Sequence, residues 1–335
     1  MRILTEKGPQ EYRAVWLEDG EVKMIDQRLL PHNFQIVCFK TTEEVAESIR
    51  NMTVRGAPAI GVAAAYGMAL AGMQRRSTEA AAKLLKSARP TAYDLFYAVD
   101  FMSERLNAGE SGEAASERYA RTIIEKCRLI GEHGAALIPD NSKIMTHCNA
   151  GALATVDFGT ALAPIRLAHK QGKRIFVYVS ETRPRLQGMK LTAYELRNEG
   201  IPHAIIADGA SGHFLRKGVD LVIVGADRVA MNGDFANKIG TYEKAVLAKE
   251  LGVPFYVAAP ISTFDFSIES GGDIVIEDRA EEEVTTLDGV RIAPEGCHAL
   301  NPSFDMTPSK YVAGFITEVG VLRPEEIVRV KGARI

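Results

Sequence analysis

Apolar and polar positions follow two different rhythms along this chain, and the change falls near its middle. In the second half, apolar runs of strand length at 143–148, 174–180, 203–207, 220–225 and 254–259 are separated by stretches of helical period. Short apolar strands alternating with helices are the pattern of a parallel sheet whose crossovers cover both faces. Pro164 interrupts one helical stretch, GTALAPIRLAHKQG, but falls in its first turn if the helix begins near Thr160, where a missing N–H is harmless. The spacing predicts a Rossmann-like, doubly wound parallel sheet over residues 129–335.

The first half is patterned less regularly and predicts a smaller mixed α/β domain over residues 1–128. Residues 12–24 read as a hairpin turning at Asp19-Gly20, with Trp16 packed under it. A strand follows at 35–39, and then Thr41 caps a helix with an acidic first turn and apolar positions at Val45, Ile49 and Met52. The small-residue run IGVAAAYGMALAG predicts a closely packed helix. Residues 105–117 are a polar interruption, helical period resumes over 119–137, and Ile138 to Ser142, IPDNS, breaks it. The boundary between the two domains is placed within this helical connector, near residue 128.

Composition narrows what such a chain can be. It has 335 residues, 46% hydrophobic and 25% charged, which suits a folded two-domain protein rather than a disordered one. A formal net charge of -3 gives no support to binding nucleic acid or an anionic membrane. The four cysteines have no metal-ligand spacing and do not make a disulfide scaffold, so a reducing cytoplasm fits best. The N-terminal MRILTEKGPQEYR lacks the apolar core of an export signal, and no stretch reaches the ~18 apolar residues of a membrane helix.

Chemistry concentrates at strand ends. In KIMTHCNAG, an apolar run ends at Thr146, His147, Cys148 and Asn149; in DLVIVGADR another ends at Asp227. Open parallel sheets bind ligands at the carboxyl ends of strands where the strand order reverses. If these two strands are neighbours at the reversal, Cys148 and Asp227 face one crevice. Cys148 reads either as a buried small hydrophobe or as a reactive thiol beside a helix start near Gly151, a setting that lowers a thiol pKa. Asp227 reads as a cap or as an enclosed carboxyl that keeps its proton and acts as an acid. VRGAPAIG sets Arg55 and a flexible Gly56 before a helix start, which suits an anion or merely a tight turn. Arg89 precedes a proline at a helix start; Asn237 and Lys238 precede another helix; Arg183 and Gln187 stand in the loop after the second strand. His147, His203 and His213 are scattered and read as satisfied polar residues. No dinucleotide, P-loop, zinc-protease or nucleophile-elbow motif is present.

The motifs in series, VRGAPAIG, ARPTA, THCNAG, ETRPRLQG, GADRVAMNGDFANKIGTYE and NPSFDMTP, resemble the methylthioribose-1-phosphate isomerase family. That family is related to ribose-1,5-bisphosphate isomerases and to the regulatory subunits of translation initiation factor 2B. The resemblance implies an aldose–ketose isomerase of methionine salvage, cytoplasmic and homodimeric, with no metal or organic cofactor. It also implies Cys148 and Asp227 as the catalytic pair, and Arg55, Gly56, Ala57, Arg89, Gln187, Asn237 and Lys238 as the substrate-binding set. The phosphate is then expected at the Gly56 turn, with Arg55, Arg89 and Lys238 adding charge. Arg185 in ETRPRLQG departs toward the bisphosphate branch. Ribose 1,5-bisphosphate is therefore an alternative substrate, a 5-deoxyribose 1-phosphate is another, and a non-catalytic regulator like the initiation-factor subunits is the alternative from another class.

Overall fold

The computed structural model describes residues 1–5, 8–89 and 93–332. Two strands that the sequence pattern did not suggest, β1 (Arg2–Thr5) and β2 (Gly8–Glu11), open the chain as a hairpin. β3 (Val15–Glu18), β4 (Glu21–Ile25) and β5 (Ile36–Phe39) then form an antiparallel sheet. Asp19 and Gly20 join β3 to β4 with φ of 53° and 75°, the left-handed pair that matches strand twist. Val15, Val22 and Met24 fill the core beneath the sheet. Trp16 is not under the hairpin: strand alternation puts it on the other face, half-buried, with its indole N–H donating to Glu18.

Thr41 and Glu44 form a reciprocal capping box at the start of α1 (Thr42–Arg50), whose Val45 and Ile49 are buried. Met52 lies beyond that helix, at φ 63°, and turns toward the cavity described below. α2 (Ala57–Met73) is buried along nearly its whole length, because its alanines and glycines let neighbours approach on every side. α3 (Thr78–Ala88), α4 (Tyr93–Asn107) and α5 (Gly112–Ala135) pack with it in one apolar core. α5 contributes Tyr119, Ile123 and Cys127 to this core, and Ile130 and Ala135 to the core of the large sheet. Residue 128 falls between the two sets.

The second half supplies β6 (Ser142–Thr146), β7 (Ile175–Ser180), β8 (His203–Ile206), β9 (Leu221–Val224), β10 (Arg228–Ala230), β11 (Phe235–Lys238), β12 (Phe255–Ala258), β13 (Phe264–Asp265), β14 (Thr286–Leu287), β15 (Val290–Arg291), β16 (Phe304–Thr307), β17 (Gly314–Thr317) and β18 (Gly320–Leu322). Its helices are α6 (Ala152–Thr155), α7 (Leu162–Lys170), α8 (Ala193–Glu199), α9 (Ser211–Arg216), α10 (Thr241–Glu250) and α11 (Glu282–Thr285). The large sheet has the order β18-β17-β12-β9-β6-β7-β8, parallel except for β18. Successive side chains serve opposite faces: Ile144, Leu221 and Ile223 pack with α5 and α7, whereas Met145, Val222 and Val224 pack with α9 and α10. Pro164 is the third residue of α7.

β6 and β9 are neighbours, with Ile144 opposite Leu221 and Met145 opposite Val222. The strand order reverses between them. A second sheet, β13-β10-β11-β16, was not suggested by the sequence pattern, and neither were β17 and β18. This second sheet stands on the end of β9 and sets Lys238 directly opposite Phe304.

Candidate active site

A cavity of about 160 Å³ opens at the carboxyl ends of β6 and β9. Arg55, Gly56, Arg89, Cys148, Gln187, Asp227 and Lys238 all line it. Ala57 instead lines a smaller space of about 40 Å³, which shares Arg89 and Asp227 with the first. Asn237 is buried beside the site with its amide donating to Thr241 Oγ1 at 2.9 Å. Arg183 is turned away from the cavity, and its guanidinium donates to the carbonyls of Pro184 and Val284. Arg89 follows the end of α3; the proline after it, Pro90, lies outside the described residues.

The Gly56 turn admits only glycine. Its φ is 93°, and a Cβ there would sit 2.5 Å from Ala154 Cα. No side chain caps α2, so its leading N–H groups, next to the Gly56 turn at the cavity wall, are unpaired by any cap among the described residues. Arg55 is held by Asn149, through Nη1 to Oδ1 at 2.6 Å and Nη2 to the carbonyl at 3.0 Å. The buried carboxylate of Glu195 holds Asn149 in turn, accepting from Nδ2 at 2.9 Å.

Glu195 also accepts from the N–H groups of Ala152 and Leu153. The helix start after Cys148 is a single turn, and its N–H groups at Ala152 and Leu153 are taken by Glu195. Cys148 itself sits at φ 61°, a left-handed conformation costing a non-glycine residue roughly 1–2 kcal/mol. Two threonines hold it there. Thr182 Oγ1 accepts from its N–H at 2.8 Å, and Thr192 Oγ1 donates to its carbonyl at 2.6 Å.

Asp227 is the carboxyl of the cavity wall. Burial raises its pKa above the ordinary aspartate range, while Lys238, Arg89, Arg55 and Arg279 pull the other way. Lys238 Nζ donates to Ser303 O at 2.7 Å and lies 4.4 Å from the Phe304 ring centroid. Burial brings its pKa down to about 8, with the neighbouring Cys148 and Asp227 favouring its charge and Arg279 opposing it. Arg89 is depressed by burial and by Arg279, and its only ion pair among the described residues is with Glu277, at 3.8 Å.

Several wall residues were not among those the sequence pointed to as a site. Arg279 and Phe304 come from loop and short-strand segments, and Met52 comes from the turn after α1. Gln27, Arg28, Lys190 and Leu191 complete the wall with Arg185. Glu277 joins Arg279 at 3.1 Å. Gln187 Oε1 is buried with no partner among the described residues, an acceptor free for a ligand donor. His147 is buried with Nε2 against Ile239 O at 2.8 Å, and burial drops its pKa to about 3. Among the described residues no cluster of histidine, cysteine or carboxylate groups could hold a metal, and no helix is long and apolar enough to cross a membrane. The site thus offers a buried carboxyl whose pKa is raised, a cysteine and a group of cations around a space for a small anion.

Residues 53–324 match the Initiation factor 2 subunit family. The chain is 52% identical to the methylthioribose-1-phosphate isomerase of Roseiflexus castenholzii, over 93% of this chain and 95% of that one. Among solved structures it is similar to 5-methylthioribose 1-phosphate isomerase from Pyrococcus horikoshii, with 43% identity, a TM-score of 0.88, and coverage of 96% of this chain and 97% of that one. It is also similar to a structure described as translation initiation factor eIF-2B, subunit delta, from A. fulgidus, with 42% identity, a TM-score of 0.86, and coverage of 96% and 99%.

Proposed function

The chain belongs to the Initiation factor 2 subunit family, and from that premise we propose that it converts 5-methylthioribose 1-phosphate to 5-methylthioribulose 1-phosphate, an aldose–ketose isomerisation of methionine salvage. One observation carries the reading: a thiol and a carboxyl with a raised pKa line the same cavity at the strand-order reversal. A protein that only sensed a sugar phosphate would need the cations and neither of these groups.

The phosphate on C1 blocks the spontaneous ring opening that free sugars undergo, so an acid must act at the ring oxygen. Asp227 gives its proton to that oxygen as the bond from C1 to it breaks. The hydrogen of C2 then passes to C1 while the C2 hydroxyl becomes a carbonyl, and the proton lost from that hydroxyl restores Asp227. C1 ends as a CH₂ that still carries the phosphate. Cys148 flanks the C1–C2 bond, as the base if the hydrogen travels as a proton through an enediol, or as part of the wall if it travels as a hydride. Arg55, Arg89 and Lys238 hold the phosphate with the uncapped start of α2, and Gln187 Oε1 accepts from a sugar hydroxyl.

The test is to incubate the purified protein with 5-methylthioribose 1-phosphate and measure ketose formation. Binding without turnover would sink the isomerase and favour the regulator reading. Running the reaction in D₂O separates the two hydrogen-transfer routes: deuterium at C1 of the product marks the enediol, and its absence marks the hydride shift.

A further inference from the structure

Three contacts fasten the segment around α11 to the loop that follows β7. Arg183 donates to Val284 O at 2.7 Å, Arg185 Nη1 lies 2.7 Å from Glu283 Oε1, and Lys190 Nζ lies 2.6 Å from Asp288 Oδ1. Arg185 and Lys190 both line the cavity, so each cation on this wall already has a carboxylate of its own. Glu283 is held in place as well. Its side chain is only 18% exposed, and its second oxygen accepts from Asn301 Nδ2 at 3.3 Å.

The wall around Asp227 is different. Arg55, Arg89, Lys238 and Arg279 all act on that carboxyl, and their ion pairs among the described residues go to one carboxylate, Glu277. One side of the cavity is therefore strongly positive and the other is balanced. A single phosphate has a clear place to go, and a second one does not.

We propose that Glu283 is a specificity-determining residue: by occupying Arg185, it restricts the site to sugar 1-phosphates whose other end is uncharged and excludes 1,5-bisphosphates. The inference rests on the sugar-phosphate reading above. A 5-phosphate approaching Arg185 meets the carboxylate of Glu283 and must displace it from a charge-assisted hydrogen bond. Specificity built this way comes from an opposing element rather than from better contacts to the preferred ligand. Without the carboxylate, Arg185 becomes a cation at the cavity wall lacking an anion, and a bisphosphate supplies one.

Glu283→Gln and the double variant Glu283→Gln/Arg185→Gln are to be compared with the wild type by calorimetry on 5-methylthioribose 1-phosphate and ribose 1,5-bisphosphate, with ketose formation followed in parallel. Glu283→Gln should bind the bisphosphate at least about tenfold more tightly than the wild type does, the scale of one charge-assisted hydrogen bond, and should change the monophosphate far less. The gain should vanish in the double variant. Glu283→Asp, which shortens the reach to Arg185 with less change to α11, should move in the same direction and keeps the test open if glutamine disturbs the fold. Unchanged bisphosphate affinity in both single variants overturns the proposal, and so does an equal gain in the double variant. If the wild type binds both sugars and isomerises neither, the isomerase reading fails, and the binding ratios still decide the role of Glu283.

Discussion

Asp227 and Cys148 should lose turnover without losing ligand when replaced conservatively. Asp227→Asn keeps the shape but has no carboxylic proton, so turnover should fall by about two to four powers of ten while binding by calorimetry persists. Cys148→Ser should also depress turnover more than affinity, and the two losses should not multiply in the double variant, because both groups serve one transition state. Near-normal turnover in both would remove them from the chemistry. The pH dependence has a definite sign. In the proposed reaction Asp227 donates a proton, and burial raises its pKa, so turnover should decline as pH climbs through that pKa. Lys238 in the free protein loses its charge near pH 8, so KM should rise above about that value. Arg89→Ala should weaken substrate binding by roughly 1.5–3 kcal/mol, the range for hydrogen bonds to charged groups. Unaltered affinity would exclude Arg89 from the phosphate site.

At the scale of elements, Glu195 on α8 ties three pieces of the site together. It caps α6, holds Asn149, and through Asn149 fixes Arg55, which comes from the N-terminal half of the chain. Glu195→Ala would leave two N–H groups and an amide buried without their acceptor, at roughly 1–3 kcal/mol each. The variant should lose several kcal/mol of unfolding free energy in denaturant titration and raise KM through a loosened Arg55; Glu195→Gln, which retains an acceptor, should fall between. An alanine variant as stable as the wild type would show that Asn149 and α6 find other partners. Glu195 also shows where reading a sequence stops. Cys148 and Asp227 were legible because each closes an apolar strand, and strand ends in a parallel sheet are where chemistry collects. Gly56 was legible because a turn before a helix has its own signature. Glu195 lies in the first turn of a helix with nothing to mark it, and Arg279 and Phe304 lie in segments too short to have a period. Only the tertiary fold brings them to Asn149, Asp227 and Lys238. The strands of the second sheet, two to four residues long, were silent for the same reason. Met52 continued the helical rhythm of α1, yet the chain had already left the helix at Arg50.

At the scale of the whole molecule, another carboxyl that does not line the cavity, Asp94, is also held out of water. Asp94 opens α4 at the point where α2 crosses it, and a Cβ on Gly61 would meet its carbonyl at 3.1 Å. Burial pushes its pKa up to about 7, with Lys126 opposing the shift and Asp227 adding to it. A pKa raised by folding means that the folded state binds the proton more tightly than the unfolded chain does. The stability it contributes is complete below the ordinary aspartate pKa near 4 and is lost as pH rises through about 7. Asp94→Asn carries no such proton. Its unfolding free energy relative to the wild type should therefore grow by up to about 1.4 kcal/mol per pH unit between pH 5 and 7 and level off above that. Urea titrations of both proteins across that range provide the measurement. Burial is the main cause of the Asp94 shift and Asp227 a smaller one, so this slope should persist in Asp227→Asn over a somewhat narrower pH window. Parallel stability curves for the wild type and Asp94→Asn would show that Asp94 is ionised in the folded protein and that the packing of α2 on α4 does not depend on its proton.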